Sequence, residues 1–380
     1  MEEKAVITLL ERMVTLSDTR VIGRCDHDLV DIVVLSLCAV MCGADGWDDI
    51  EAWGQEKEEW LCQYLKLRNG IPGHDTIRRV FEIISPQELE TRFVEWAEEM
   101  CGTPVARIIA IDGKSLRGSG SVTRGRRPLH MVSAYAAEYG LTLGQRVCEE
   151  KANEIIAIKE LLPTLTLEGA VVTIDAMGCQ TAIAQQITDG GGDYVLAVKD
   201  NQPTLAEAIR QFFGGIRQRD MSKMTYSVHE TTDKGHGRFE TRRCTAVGVE
   251  WLDALGLRAR WPKLNAIACI ESQREWKGKI ETDVRYVISS LLPEASLILH
   301  AVRTHWGIEN GLHWCLDVTF REDASQIGLR HAAQNFSFLR RAAMNLFRTD
   351  VSSKNSLPKK RKAAAWNHEY LAQVLRLKKI

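Results

Sequence analysis

The sequence predicts a mixed α/β fold with a helical amino-terminal domain and a β-rich insertion. Two apolar runs rich in β-branched residues each lead into an aspartate, at Arg107-Ile-Ile-Ala-Ile-Asp112 and Gly169-Ala-Val-Val-Thr-Ile-Asp175, which is the pattern of short buried strands. The first hundred residues instead space their apolar side chains at helical intervals. From residue 221 to 290 the chain turns polar and β-rich. With 380 residues, 45% hydrophobic and 26% charged, it is ordinary for a globular protein and long enough for two or three domains.

Residues 28–42 place Leu29, Ile32, Val33, Leu35, Leu37, Val40 and Met41 on a helix that Asp26 or Asp28 would cap and that Gly43 and Gly46 break. Residues 48–64 read as a second helix, with Trp53 and Trp60 a heptad apart. The breaker Asn69-Gly70-Ile71-Pro72-Gly73 separates it from a short helix that opens at His74-Asp75-Thr76 and carries Arg78 and Arg79. Helix, turn, helix with two arginines suits a DNA-reading element. Yet residues 1–100 hold 21 acids against 10 Lys or Arg, which opposes a large phosphate footprint. DNA contact and a dimerisation or packing role both stand. Ser85-Pro86-Gln87-Glu88 begins a further helix, with proline near its first position.

After the strand ending at Asp112, residues 129–135 and 141–147 alternate as strands across the turn Glu138-Tyr139-Gly140. A helix over 153–162 stops at Pro163; then come the strand to Asp175, a helix over 180–187 ended by Gly190-Gly191-Gly192, and a strand over 193–199. Three strands in meander, then helix, strand, helix, strand, is the order of a ribonuclease H-like fold, a mixed sheet with flanking helices. A doubly wound nucleotide-binding fold would need a helix among the early strands, and residues 129–147 leave no room for one. Residues 221–290 read as the β-rich insertion. Its glycines beside His236, Arg238 and Arg242 would let cationic groups approach phosphates closely; a tight hairpin with solvated charges fits the same residues. The expected domains are 1–100 (helical), 101–215 (core, first part), 216–292 (insertion), 293–350 (final core helices) and 351–380 (basic tail).

A buried strand delivering Asp112, with Lys114 and Arg117 just beyond, suits a divalent metal held against a phosphate, and Asp-Gly is also ordinary turn chemistry. Further on, Val302-Arg303-Thr304-His305-Trp306-Gly307-Ile308-Glu309-Asn310-Gly311-Leu312-His313-Trp314-Cys315-Leu316-Asp317, read as one helix, sets His305, Glu309 and His313 on one face at intervals of four. The histidines read as hydrogen-bonding partners, since no third zinc ligand can be placed, and the tryptophans as a packed stripe. Two strands leading to aspartate and a helix presenting glutamate make a three-carboxylate constellation suited to Mg²⁺ or Mn²⁺. Two such ions about 3.5–4 Å apart would activate a nucleophile and stabilise the leaving oxygen. Clustered like charges repel, so such a site is expected to be poorly ordered until metal neutralises it.

The net charge is only −1, but its distribution is uneven. The loop Arg124-Gly125-Arg126-Arg127 is basic. From Phe338 onward 11 Lys or Arg stand against Asp350 and Glu369, either a polyanion contact or a solvated helical tail. The ten cysteines lack zinc spacing and read as reduced core residues of a cytosolic protein. Met1 is followed by acids, so no secretory signal is expected; with no apolar run approaching about 18 residues, no membrane span is expected either. No phosphate-loop, nucleophile-elbow or dinucleotide fingerprint offers a rival chemistry.

Ile111-Asp112-Gly-Lys-Ser-Leu-Arg-Gly118, Thr173-Ile-Asp175-Ala-Met-Gly-Cys-Gln180, Ala197-Val-Lys199-Asp-Asn201-Gln202, Gly235-His-Gly-Arg238 and His305-Trp-Gly-Ile-Glu309-Asn-Gly-Leu-His313-Trp together resemble the H-repeat-associated family of bacterial insertion-sequence transposases, within the DDE superfamily. Cys38-Ala-Val-Met-Cys-Gly-Ala-Asp-Gly-Trp47 and Ile71-Pro-Gly-His-Asp75-Thr76 extend the likeness to the amino-terminal region. The resemblance implies a ribonuclease H-like core, Mg²⁺ or Mn²⁺ as cofactor, and cutting and joining of double-stranded DNA at an element's terminal repeats and at a target. It maps the catalytic and metal-holding triad onto Asp112, Asp175 and Glu309, with water and then a DNA 3′-hydroxyl as nucleophile. The expected DNA contacts are Lys114, Arg117, Arg124, Arg126, Arg127, Lys199, Asn201, His236, Arg238, Arg303 and His305. A homo-oligomer on DNA follows, because two ends are paired, as does a cytoplasmic location, on the nucleoid when bound. The Tyr, Arg and Lys that wider relatives carry around the glutamate fall here on Val302, His305 and Leu316, so the resemblance leaves open whether a hairpin intermediate forms. The rival reading is a catalytically silent relative that binds element ends.

Overall fold

A computed structural model describes residues 9–379 apart from 22, 102–106, 122–124, 126, 149–153, 217–220, 236–237, 277 and 329–330. The amino-terminal region is helical: α1 (Leu9–Met13), α2 (Leu29–Cys42), α3 (Trp47–Glu56), α4 (Glu58–Leu61), α5 (His74–Ile83) and α6 (Pro86–Cys101). Asp28 takes the N-cap position of α2 but makes no side-chain capping bond. The helix expected over 48–64 is interrupted at Lys57, and Trp53 meets Trp60 edge to face with ring centroids 6.3 Å apart.

β1 (Ile108–Leu116), β2 (Leu129–Ala136) and β3 (Leu141–Cys148) form the antiparallel meander. α7 (Glu154–Leu161) leads to β4 (Val171–Ile174), and α8 (Thr181–Asp189) to β5 (Asp193–Val198). β1, β4 and β5 are mutually parallel, the ribonuclease H-like arrangement that the element order predicts. These strands are apolar on both faces because both are covered. Ile109, Val172 and Leu196 join one core with Ile158, Ile183 and Ile187, whereas Ile108, Val171 and Val195 join another with Ile298 and Leu299.

After α9 (Pro203–Gly214) come β6 (Tyr226–Gly235), β7 (Arg238–Gly248), β8 (Ala266–Trp276) and β9 (Lys279–Ser289). β9 pairs antiparallel with β5, so the insertion does not stand apart: it extends the core into one nine-stranded sheet, in order β3-β2-β1-β4-β5-β9-β8-β7-β6. The inner ends of its strands bury Cys244, Ala246, Ala268, Ile270 and Val287 beneath α10 (Ala295–His305). Their outer ends are polar and open to solvent, as at residues 279–285 of β9.

α11 (Trp314–Phe320) and α12 (Ala332–Thr349) follow. α12 is buried along nearly its whole length, between α2, α5, α6 and β3, and so joins the amino-terminal helices to the sheet. The expected tail is folded, as α13 (Leu357–Trp366) and α14 (His368–Leu375) against α2 and α12. Among the described residues no single helix is long and apolar enough to cross a membrane. All ten cysteines are free, but Cys25 and Cys62 are exposed rather than core residues.

Candidate active site

The register of β1 against β4 brings the two aspartates together. Ile111 lies opposite Ile174 in the parallel ladder, so Asp112 and Asp175 each follow the last paired residue on adjacent strands. β1 does not end there, as the sequence suggested. It runs on to Leu116 against β2, with Asp112 opposite Ser133, because only its β4 edge loses its partner. Asp175 turns the chain instead, its carboxylate accepting the Met177 amide at 3.0 Å. Asn201 donates to the Ala176 carbonyl and Gln202 to that of Cys179 at 3.0 Å, so the end of β5 clamps the turn behind Asp175.

Glu309 comes from a later, helical segment. The single helix expected over 302–317 is in fact α10, a π-helical turn over Glu309–His313, and α11. Such turns widen a helix locally and recur at functional sites. Gly311 permits this one: a Cβ there would meet the Tyr135 hydroxyl at 2.3 Å. Arg348 fastens it by donating to the Gly311 carbonyl and, at 3.0 Å, to the Tyr135 hydroxyl. The break separates the two histidines. His305 is buried and shares a 3.1 Å hydrogen bond with the Thr173 hydroxyl, while His313 Nδ1 stands 3.6 Å from Asp112 Oδ2. Trp306 and Trp314 are 41% and 55% exposed, not core, and the Arg285 guanidinium lies over the Trp306 ring at 4.6 Å.

The Asp112 carboxyl is pushed up to about 7, chiefly by burial, against a bond from the Gly113 amide and with a smaller contribution from the negative charges of Asp175, Glu154 and Glu309. Glu154 is a fourth acid that the sequence reading missed. It is buried behind Gly113 in a 3.1 Å pair with His130, whose other ring nitrogen meets Ser115 Oγ at 3.0 Å. Any Cβ at Gly113 would collide with both partners, at 2.4 Å and 2.6 Å. No periodicity or spacing marks Glu154. The one available signal was the glycine after Asp112, which read as turn chemistry.

The expected DNA contacts divide. Lys114 is turned inward, paired with Asp317 and, at 3.1 Å, with the wholly buried Glu322, so its amine is committed inside the protein. Asn201 is spent on the turn after Asp175. His305 is held neutral, its pKa lowered to about 4 chiefly by burial, which removes the protonated form that a phosphate contact would need. Arg303 is partly exposed and pairs with Asp233 at 2.8 Å. Arg117 is 84% exposed beside Asp323, and Arg127 and Lys199 are exposed. Lys199 lines a cleft of about 330 Å³ with Asp175, Arg210, Arg285 and Trp306. Arg124, Arg126 and His236 lie outside the described residues, as does the Arg238 side chain.

His305 gives a pH prediction. Its value of about 4 lies below the ordinary 6.5, so the unfolded chain takes up the proton first. The stability contributed by the neutral ring is complete above pH 6.5 and is lost as pH falls towards 4, by about 3 kcal/mol in all. Urea unfolding at pH 7 and pH 5 should show a smaller loss for His305→Asn than for the parent chain. Equal losses would contradict a buried neutral ring.

Among the described residues no three His, Cys, Asp or Glu side chains stand close enough to enclose a metal ion. The donor set nevertheless fits a hard divalent cation. It is oxygen-rich, and Asp112 is destabilised as a charged group by burial and, to a smaller extent, by neighbouring acids, which a cation would offset. Such ions keep water and substrate oxygens among their ligands, so the protein need not close the shell.

A family model described as "Transposase DDE domain" matches residues 103–346, and one described as "DDE_Tnp_1-associated" matches residues 10–97. The "H repeat-associated putative transposase YhhI" of Escherichia coli (strain K12) is 38% identical over 371 residues, 97% of each chain. The "Putative transposase YncI" of Escherichia coli O157:H7 is 40% identical over 376 residues, 98% of this chain and 95% of its own. With a full-length likeness of that strength, and with two aspartates set side by side at the end of a parallel ladder, the chain belongs to the DDE transposases, in their H repeat-associated group.

Proposed function

We propose that this chain cuts DNA at the terminal repeats of an insertion sequence and joins the ends to a target, with Asp112, Asp175 and Glu309 as its reactive centre. Membership of the family implies use of a divalent metal; Mg²⁺ or Mn²⁺ is the ion this oxygen-only donor set suits best. The observation that carries the assignment of residues is the Ile111–Ile174 register, together with the influence of Glu309 on Asp112 across 197 positions of sequence (309 − 112). Bound there, divalent ions would polarise the phosphoryl oxygens and activate the attacking hydroxyl.

The chain's own groups prepare the reaction. Asp112, on interior strand β1, and Asp175, directly after interior strand β4, would fix where the scissile phosphate sits, since a rigid sheet holds a geometry better than loops do. The clamp from Asn201 and Gln202 keeps Asp175 from swinging with its turn. The π-turn, pinned by Arg348, sets Glu309 from the helical side. Neutral His313 fills the space next to Asp112 without contributing a competing positive charge: its pKa is lowered to about 3 by burial and by the charges of Arg341 and Lys114. Exposed Arg117 and Lys199 are proposed phosphate contacts, and Lys199 lines the same cleft as Asp175. Pairing of two element ends would require a homo-oligomer on DNA.

Labelled terminal-repeat duplex incubated with the chain and Mg²⁺ or Mn²⁺ should yield cut and then joined strands. Nicking without joining would reduce the proposal to a nuclease. A mobility shift with no product under either ion would leave only the silent binder.

A further inference from the structure

The fold sorts the basic tail into two sets. On α13 the side chains that face the protein are Lys360, Arg361 and Ala364. Lys360 Nζ donates to the carbonyls of Phe347 at 2.7 Å and Asp350 at 2.6 Å. Arg361 donates to Val40 at the end of α2 at 3.1 Å and to Thr319 in α11, and stands 3.7 Å from Asp45. Those cations are structural bolts. The opposite face carries Lys359, Lys362 and Trp366, whose spacing of three and then four residues puts them within one narrow stripe of an α-helix. All three are exposed, Trp366 to 79%, and Lys354 is exposed just before the helix.

We infer that this stripe of α13 is a DNA-docking surface, with Lys359, Lys362 and Lys354 on backbone phosphates and the Trp366 indole against a deoxyribose or base. This inference rests on the DNA-joining reading above and adds a surface to it. Three observations favour DNA as the occupant. Among the described residues none of the three lysines has an ion pair, so their charge is uncompensated. Of the two acids after residue 338, Asp350 is already engaged by the Tyr370 hydroxyl at 2.7 Å and by Lys360 at 3.3 Å. And a tryptophan left this open among unpaired lysines is the combination that phosphate attraction and aromatic packing on nucleic acid require. A protein partner would favour burying the apolar ring among neutral side chains, which the lysines do not supply.

The platform is rigid. Arg361 ties it to Thr319, in the helix that follows the Glu309 turn. DNA held on α13 would therefore keep a fixed relation to the reactive centre, whereas a loose tail would only raise local concentration.

The test uses the full chain, a labelled terminal-repeat duplex and an unrelated duplex, with affinity measured by fluorescence anisotropy over a series of salt concentrations. Each phosphate contact removed should lower the slope of log affinity against log salt by about 0.9, so Lys359→Gln with Lys362→Gln should lower it by about 1.8 on both duplexes. Trp366→Ala should instead weaken binding about fivefold at every salt concentration with the slope unchanged, because an aromatic contact releases no counterions. All three positions are exposed, and an unchanged circular dichroism melt confirms that the fold is retained. An unchanged slope in the lysine variant while the parent chain binds and cuts would overturn this surface and leave the joining reaction standing. A parent chain that neither binds nor cuts the duplex would instead remove the reading on which the surface rests. A change in oligomeric state with unchanged DNA slope would reassign the stripe to contact between copies, and would equally overturn it.

Discussion

Asp112→Asn should abolish cutting of terminal-repeat DNA, by about a thousandfold or more, while DNA affinity stays the same or rises slightly. The substitution keeps the shape of the side chain and removes the charge that would hold a cation beside the scissile phosphate. A lost interaction of several kcal/mol at that point corresponds to a loss of this order in rate. Affinity should move the other way because Asp112, Asp175 and Glu309 crowd negative charge where the proposed reaction would bring DNA, and removing one charge reduces repulsion of phosphate. The paired readout matters. A variant that merely misfolds loses binding along with cutting, whereas loss of a reactive carboxylate separates the two. Cutting at the parent rate by Asp112→Asn would take the triad out of consideration.

Much of this arrangement is legible in the sequence, for a physical reason. Buried parallel strands must be continuously apolar, so Ile108–Ile111 and Val171–Ile174 announce themselves, and the carboxylate that follows each run is conspicuous because a strand core excludes it. The order of strands and helices then follows from lengths too short for extra crossovers. What stayed hidden depends on neighbours distant in the chain. Residues 302–317 have unbroken helical character, and nothing local reveals that Gly311 packs closely against the Tyr135 hydroxyl within a π-turn. The insertion strands read correctly as strands, but pairing of β9 with β5 is a choice of edge, which no periodicity encodes. Charge was the least legible feature. A lysine two residues beyond Asp112 looks like a phosphate ligand until Asp317 and Glu322, more than 200 positions away, are seen to take its amine. The tail shows the same ambiguity within one helix, where adjacent Lys359 and Lys360 point to solvent and to core.

That ambiguity over Lys114 can be resolved through its buried partner. Glu322 is fully buried; it accepts from Arg341 at 2.7 Å and from Ser337 at 2.6 Å through one oxygen, and from Lys114 at 3.1 Å through the other. Burial opposes its charge, yet the cations of Arg341, Lys114 and Arg340 outweigh it and draw the carboxyl down to about 2. Its folded value is below its unfolded value of 4.5. The stability it contributes is therefore present above pH 4.5 and is lost as pH falls towards 2. Glu322→Gln should destabilise the chain at pH 7 by about 3–5 kcal/mol, since it strands the fully buried Arg341 without a counter-charge. It should also flatten the acid limb of the stability curve. Lys114→Met should lower the melting temperature of the parent chain but do less harm in the Glu322→Gln background, with a coupling of about 1 kcal/mol or more for charges in direct contact. A phosphate-contacting Lys114 would behave differently: its removal would lower the salt slope of DNA binding by about 0.9 and leave the melting temperature alone. Additive losses in the double variant, with a changed salt slope, would return Lys114 to the DNA surface.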